Sequence, residues 1–176
     1  TNAPASTPIV NEPAVNTGLQ ATAFKNMSTQ EFINAVGPIA REDYRKTGVL
    51  ASVTLAQAIN ESGWGKSGLT QNSNNMFGMK TSLSGNSWSG SVWDGRSYVE
   101  VKTREEYNGK KVTITAKFRK YPSVAQSIAD HSAYLSNAMN GARRRYNGLT
   151  DTKSYSSQLT ILQKGGYCTW SGYVSE

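Results

Sequence analysis

The sequence AQAINESGWG, residues 56–65, places a carboxylate at the end of an apolar helical run. Four apolar residues in and before it recur at three-residue steps, with no Gly or Pro between them: Leu50, Val53, Ala56 and Ile59. This spacing predicts a buried helix. Glu61 then falls in the last turn, where the helix dipole disfavours a carboxylate, and Trp64 can shield the group from water. We therefore expect a raised pKa at Glu61, as in an acid that keeps its proton near neutral pH; the alternative is a surface glutamate that ends a core helix.

The length and the charge favour one basic domain with a tail. The chain has 176 residues, a net charge of +7 and a pI near 9.5. Such a charge favours a polyanionic partner, which could be nucleic acid, an anionic membrane surface or a bacterial wall that carries teichoic acid. Basic residues are scattered in short runs, such as those at 110–111 and 143–145, and no long basic run is interleaved with aromatics. Nucleic acid is therefore the least favoured of these partners.

The cysteine and histidine counts restrict the chemistry. With one Cys, at position 168, and one His, the chain has neither an intramolecular disulfide nor a zinc site of the Cys/His type, and we expect no metal and no cofactor. No apolar run approaches the ~20 residues of a membrane span. The chain begins at Thr1 without an initiator Met or the apolar stretch of a signal sequence, so we expect it to be a processed or excised piece. We also expect a monomer.

The N-terminal third predicts a linker followed by a helix. Residues 1–27 are rich in Pro, Thr, Asn and Ala without an apolar period, which is typical of a disordered linker, so that the domain would cover residues 28–176. Ser28 and Glu31 form a capping box, which starts a helix at about Thr29. Pro38 is expected to restart this helix rather than to lie within it, and Gly48 to end the segment.

Residues 63–97 form a long polar segment that contains aromatic residues. It is rich in Gly, Ser and Asn, and it carries Phe77, Trp88 and Trp93. Sugar sites are commonly built in this way, because pyranose faces stack on rings while hydroxyl groups meet amides. The alternative is a packed loop whose aromatic residues anchor it to the domain, and the two interpretations are compatible.

Residues 98–118 predict a β-hairpin around Asn108-Gly109, the dipeptide preferred in a type I′ turn. With these two residues at the centre, the predicted pairs are Tyr107 with Lys110, Glu106 with Lys111 and Glu105 with Val112. This register puts Glu105 on the apolar face and Glu106 on the polar face. Either Glu105 is an edge residue that reaches solvent, or it has a function; a bulge near the turn would exchange the two glutamates.

Two further helices are predicted after the hairpin. Val124, Ile128 and Leu135 mark an amphipathic helix to about Met139, and residues 155–163 mark another. His131 lies within the first, and we interpret it as a core-edge or surface residue rather than a catalytic base.

Five segments together resemble the glucosaminidase domains of bacterial autolysins. They occur in the order and approximate spacing of glycoside hydrolase family 73: residues 56–65, 75–80 (NMFGMK), 103–110 (TREEYNGK), 118–123 (FRKYPS) and 166–169 (GYCT). The resemblance covers the chain from about Ser28 to its end. It implies a lysozyme-like α+β fold, with a helical lobe and a β-hairpin lobe flanking a substrate groove. It also implies hydrolysis of the β-1,4 bond between N-acetylglucosamine and N-acetylmuramic acid in peptidoglycan.

The resemblance also implies site residues. The general acid falls on Glu61, and the second carboxylate on Glu105, or on Glu106 if the tyrosines are aligned instead. A functional tyrosine near the family's C-terminal motif falls on Tyr167 or Tyr173, because this chain departs from that motif at Cys168 and at residues 170–171. The family usually continues with a helix, so the chain is expected to be truncated. We predict substrate contacts by five residues in or beside these segments: Trp64, Asn75, Phe77, Trp93 and Tyr121.

The expected protein is a secreted hydrolase of the bacterial cell wall. Its partners would be peptidoglycan glycan strands and, through its positive charge, anionic wall polymers. The alternatives are a muramidase or lytic transglycosylase, which also keeps a glutamate in a helical lobe, and a wall-binding module without turnover.

Overall fold

A computed structural model describes residues 14–83 and 88–167, with only the backbone at Glu105. Within these ranges the helices are α1 (Thr29–Thr47), α2 (Ala51–Ser62), α3 (Gly68–Ser73), α4 (Val124–Asn137) and α5 (Tyr155–Lys164). Two long strands, β1 (Tyr98–Tyr107) and β2 (Lys110–Arg119), form the hairpin, and β3 (Met139–Asn140) pairs with β4 (Arg143–Arg144). Two 3₁₀ helices cover Ala21–Asn26 and Leu149–Asp151. The predicted α+β class, with a helical lobe and a hairpin lobe, is confirmed.

Helix α1 begins at the predicted capping box. The Glu31 amide donates to Ser28 Oγ over 3.2 Å, and the Ser28 amide donates to the Glu31 carboxylate over 2.7 Å. The prediction that Pro38 restarts the helix is wrong, because α1 runs through this proline without a break. Pro38 is buried on the same helix as Phe32 and Ile39, which are also buried, and packing of this face offsets the lost backbone hydrogen bond.

Helix α2 carries Glu61 in its last turn, as predicted, and ends at Gly63 in the left-handed conformation. Its most buried face differs from the predicted stripe. Val53 and Ala58 are fully buried together with the polar Gln57, whereas Ile59 is half-buried. Glu61 follows Gln57 by four residues and Ala58 by three, so it lies where this buried face ends. The helix therefore brings the carboxyl group to the border between core and solvent.

The predicted linker is wrong for residues 14–27, while residues 1–13 lie outside the described ranges. The 3₁₀ helix Ala21–Asn26 inserts Phe24, which has no exposed surface, against Phe32 with ring centroids 4.8 Å apart. The Ala21 amide donates to Asn74 Oδ1 over 2.8 Å. Composition without a period does not predict this segment, because it packs through one aromatic side chain and hydrogen bonds to distant residues.

The hairpin has the predicted register with no bulge. Tyr107 pairs with Lys110, Glu106 with Lys111 and Glu105 with Val112. Asn108 and Gly109 both have positive φ, 50° and 75°, as a type I′ turn requires. Half-buried residues alternate with exposed ones in both strands, and the face of Glu105 contains the half-buried set: Val99, Val101, Thr103, Ile114, Ala116 and Phe118. Glu106 lies on the solvent face, which confirms how the register sorts the two glutamates.

One core joins the helices. Its fully buried members come from the N-terminal segment, α1, α2, the segment after α3, and α4, among them Phe24, Val36, Val53, Met76 and Ile128. Helix α4 contributes His131, which has no exposed surface. Within residues 14–83 and 88–167, no helix combines the length and the apolar character that crossing a bilayer needs.

Candidate active site

An open cleft of about 230 Å³ begins at the C-terminal end of α2. The segment after α3, helix α4 and the chain on both sides of α5 complete its walls. Its described lining is Glu61, Phe77, Gly78, Met79, Leu83, His131, Tyr134, Arg145, Tyr146, Gly166 and Tyr167. Among the described residues, the lining thus combines one carboxyl group with several aromatic rings.

Glu61 is exposed to the cleft, yet its surroundings still favour the protonated form. The pKa of its carboxyl group is raised, and the cause is partial removal from water by the surrounding protein. This direction agrees with the sequence prediction. A carboxylic acid that ligands can reach and that retains its proton above the usual pKa range is suited to protonating a bound oxygen.

A stacked pair of rings, Phe77 and His131, with Tyr167 edge-on to His131, forms one wall of the cleft. The Phe77 and His131 rings are parallel, with centroids 3.7 Å apart and an interplanar angle of 6°. His131 Nε2 lies 2.9 Å from the hydroxyl oxygen of Tyr167. Burial lowers the pKa of His131 to about 3, so the imidazole is neutral at physiological pH. His131 is therefore a core residue that also borders the candidate site, which its sequence context did not reveal.

Arg145 fixes the backbone that carries Tyr167. Its Nε donates to the Gly165 carbonyl over 2.7 Å, and one Nη donates to the Tyr134 hydroxyl over 3.2 Å. The Tyr167 amide donates to the carbonyl of Leu162 in α5 over 3.0 Å. These bonds hold Tyr167 in the cleft at the edge of the described chain. The second candidate tyrosine, Tyr173, lies outside the described residues, as does Cys168.

The structure contradicts two of the predicted substrate contacts. Asn75 is fully buried, and its amide group donates to the carbonyls of Met79 and Arg119, each over 2.9 Å. Tyr121 is only 2% exposed, and its hydroxyl donates to Asp130 over 2.6 Å. Neither side chain presents a polar atom to a ligand. Asn75 and Tyr121 are structural residues. Their side chains donate hydrogen bonds to buried carbonyl and carboxylate oxygens that would otherwise lack these donors.

The loop tryptophans pack around Arg119 at the base of the hairpin. The guanidinium carbon lies 4.7 Å from the Trp93 ring centroid and 5.0 Å from that of Trp88. The same guanidinium donates to Asp130 over 3.0 Å, and the Asp130 carboxylate accepts from Ser91 over 2.7 Å. This arrangement matches the alternative interpretation of the loop, in which its aromatic residues anchor it.

Of the five predicted substrate contacts, Phe77 lies in the cleft wall. Trp64 packs edge-on against Phe32, with ring centroids 5.5 Å apart. Neither Trp64 nor Trp93 is among the described residues that line the cleft, so their contacts with substrate stay predictions.

The backbone of Glu105 lies in β1, on the half-buried face three residues before the turn. The described residues contain no cluster of three or more His, Cys, Asp or Glu that could hold a metal ion.

A carboxyl group with a raised pKa in an open cleft with aromatic walls is the arrangement of a glycoside hydrolase, in which an acid protonates the leaving oxygen. The family model described as "Glucosaminidase: Mannosyl-glycoprotein endo-beta-N-acetylglucosaminidase" matches residues 37–176. The chain belongs to this glucosaminidase family, as the five sequence segments predicted.

Curated and solved relatives agree with this assignment. The chain is 35% identical over 147 residues to the exo-glucosaminidase LytG of Bacillus subtilis, and 37% identical over 151 residues to the peptidoglycan hydrolase FlgJ of Pseudomonas aeruginosa. Each match covers 84% of this chain, but only 48% of LytG and 34% of FlgJ. The catalytic domain of the autolysin Auto from Listeria monocytogenes superposes with a TM-score of 0.66 at 31% identity, over 98% of this chain and 83% of that one. The chain thus spans less than half the length of these two curated relatives.

Proposed function

We propose that this chain hydrolyses the β-1,4 bond between N-acetylglucosamine and N-acetylmuramic acid in peptidoglycan, as an endo-β-N-acetylglucosaminidase. The observation that carries the proposal is the position of Glu61, whose pKa is raised in a cleft with aromatic walls. The names of the relatives support the substrate, since one is a peptidoglycan hydrolase and another an exo-glucosaminidase.

Glu61 is the general acid in this proposal. Cleavage of a glycosidic bond needs a proton on the leaving oxygen and stabilisation of an oxocarbenium-like centre. A raised pKa favours the protonated form of Glu61 that a general acid needs, and its exposure lets the glycosidic oxygen reach it. Loss of this proton transfer typically costs about 10² to 10⁴ in rate.

Glu105 is the second carboxylate. It lies on the half-buried face of the hairpin, opposite Val112, whereas Glu106 lies on the solvent face opposite Lys111. From this position Glu105 activates water in an inverting reaction, or assists while the N-acetyl group of the substrate acts as the nucleophile. Tyr167 supplies a phenol to the cleft that contains Glu61.

The decisive experiment is product analysis on purified sacculi. Mass spectrometry of the digest should show reducing N-acetylglucosamine ends from the wild type, and Glu61→Gln should release fragments about 10² to 10⁴ times more slowly. A Glu61→Gln protein that solubilises sacculi at near wild-type rate contradicts the role of Glu61. Reducing or anhydro-muramic acid ends would establish a muramidase or lytic transglycosylase instead. Binding to sacculi without any soluble fragments would establish a wall-binding module.

The hairpin supplies a matched pair of variants. Glu105→Gln and Glu106→Gln remove the same charge from adjacent residues on opposite faces of one strand. Turnover should fall strongly for Glu105→Gln and remain close to wild type for Glu106→Gln. Equal effects, or a larger loss for Glu106→Gln, would refute the role assigned to Glu105.

Endo and exo cleavage are separated by product size. One relative carries the name exo-glucosaminidase, so this alternative has a specific basis. An endo enzyme shortens glycan strands at internal bonds and gives a wide range of oligosaccharide lengths early in digestion. An exo enzyme releases units of one size from strand ends from the beginning, and that pattern would refute the endo assignment.

The proposed site of action is the bacterial cell wall, outside the membrane. The net charge of +7 and the exposed basic residues of the hairpin, among them Lys102, Arg104 and Lys111, favour contact with anionic wall polymers. The fraction of the protein that sediments with sacculi should fall as the salt concentration rises, and it should fall further after the anionic polymers are extracted from the sacculi. Binding that is insensitive to both would refute a contribution from charge.

A further inference from the structure

His131 combines complete burial with one hydrogen bond into the cleft. Its side chain has no exposed surface, and its ring lies flat against Phe77 at a centroid distance of 3.7 Å. Nε2 lies 2.9 Å from the hydroxyl oxygen of Tyr167, and both residues line the cleft that contains Glu61. The stack keeps the imidazole in this plane, with Nε2 directed at the Tyr167 oxygen.

The other ring nitrogen determines which atom of His131 carries the hydrogen. Nδ1 is buried and has no hydrogen-bond partner among the described residues. A neutral imidazole has one N–H, at Nδ1 or at Nε2. An N–H at Nδ1 would be a buried donor without an acceptor, which folded proteins rarely contain, whereas a bare Nδ1 lone pair is more readily accommodated. The Nε2–H form is therefore favoured, and Nε2 then donates to the Tyr167 oxygen.

This direction of the hydrogen bond determines what Tyr167 can do. A phenol that accepts a hydrogen bond from His131 must direct its own hydrogen to a different acceptor. The opposite tautomer would use that hydrogen on Nε2. His131 thus decides whether Tyr167 serves as an acceptor or as a donor towards other groups in the cleft.

We propose that His131 is a positioning residue that holds Tyr167 as a hydrogen-bond donor to an oxygen of the glycan bound in the cleft that contains Glu61. This inference rests on the proposed function and deepens it. It selects Tyr167 as the functional tyrosine and assigns a role to a histidine that makes no contact with the substrate itself.

The direction of the bond can be measured without any activity. The chain contains a single histidine, so two-bond ¹H–¹⁵N correlation spectra of labelled protein report His131 alone. We expect the two nitrogen shifts of a neutral ring protonated at Nε2, with no titration between about pH 8 and pH 5. A ring protonated at Nδ1 overturns the proposal, because His131 would then accept from Tyr167.

Two variants separate the hydrogen bond from the packing. His131→Phe keeps a flat ring against Phe77 but removes the donor, and His131→Gln keeps an N–H close to the position of Nε2. For His131→Phe we expect kcat to fall roughly three- to tenfold with little change in KM, as for the loss of one hydrogen bond. For His131→Gln, which keeps a donor, we expect kcat to stay closer to the wild-type value. Thermal unfolding of each variant identifies any that fails to fold.

A double-mutant cycle gives the final test. His131→Phe should have no further effect on kcat when Tyr167 is already replaced by Phe, because the histidine acts only through the phenol oxygen. An equal loss in both backgrounds would make His131 a packing residue and overturn the proposal. If the wild type cleaves no glycan, the proposed function fails, while the nitrogen spectra still decide the direction of the hydrogen bond.

Discussion

Acidification should destabilise this protein through His131, and the size of the effect can be worked from the burial of its ring. Burial holds the pKa of His131 at about 3 in the folded chain, against roughly 6.5 in an unfolded one. The unfolded state therefore binds the proton first as pH falls. The stability that the neutral ring contributes is complete above pH ~6.5 and is progressively lost between pH ~6.5 and pH ~3.

At about pH 5 nearly every unfolded molecule carries this proton and almost no folded molecule does. The linkage relation then gives a loss of about 2 kcal/mol in the free energy of unfolding relative to about pH 7.5. For a chain of this size the loss corresponds to a fall in Tm of roughly 4–8 °C. Urea denaturation followed by circular dichroism at both pH values measures the total change in stability, to which His131 contributes this part.

His131→Gln is the matched control. Asp43 and Glu61 also have shifted pKa values, but burial raises them, so acidification has the opposite effect on their contributions. Both residues are present in the wild type and in the variant, so their contributions cancel when the pH dependence of stability is compared between the two proteins. The wild type should lose about 2 kcal/mol more than His131→Gln between about pH 7.5 and pH 5. A difference that does not change with pH would refute a buried, neutral His131.

Three further outcomes follow from other contacts. Asp130→Asn should lower the free energy of unfolding by about 3–5 kcal/mol, measured in urea, because it leaves Arg119 buried beside an uncharged group; a loss below about 1 kcal/mol would argue against this buried ion pair. Gly65→Ala should cost at least about 1 kcal/mol, seen as a lower Tm, since the residue has φ +73° and a Cβ there would collide with the Phe24 ring; an unchanged Tm would show that this ring is not seated there. In the pH–rate profile of the wild type, the alkaline limb assigned to Glu61 should lie above about pH 4.5, because an acid must keep its proton and burial raises this pKa; a limb at or below that value would exclude Glu61 as the acid.

The hairpin shows how much of the fold the sequence could predict. Alternation and the Asn108-Gly109 pair are local signals, and a two-residue turn determines every cross-strand pair that follows from it. The register and the sorting of Glu105 from Glu106 were therefore predictable. The capping box at Ser28 and the glycine that ends α1 were predictable for the same reason, because each acts within a few residues.

The errors concern residues whose partners are far away in the chain. Asn75 and Tyr121 occur in motif segments, where a functional role is a natural interpretation. Asn75 is instead bonded to the carbonyl of Arg119, 44 residues away, and Tyr121 to Asp130 on the next helix. The position of His131 beside the candidate site was also not predictable, because only the tertiary structure brings the Tyr167 hydroxyl to within 2.9 Å of its Nε2. Burial and distant pairing have no local sequence signal.

Phe24 has a practical consequence for where an expressed fragment of this chain should begin. Composition suggests cutting at Ser28, and such a fragment would begin at the cap of α1 with every family motif intact. It would also lose the ring that fills the space beside Gly65 and the peptide groups that satisfy Asn74 and Gln71. The space would open four residues from Glu61. An expression boundary before Val15 keeps the acid on a fixed support, whereas one at Ser28 would give an inactive or unstable fragment for reasons unrelated to its chemistry.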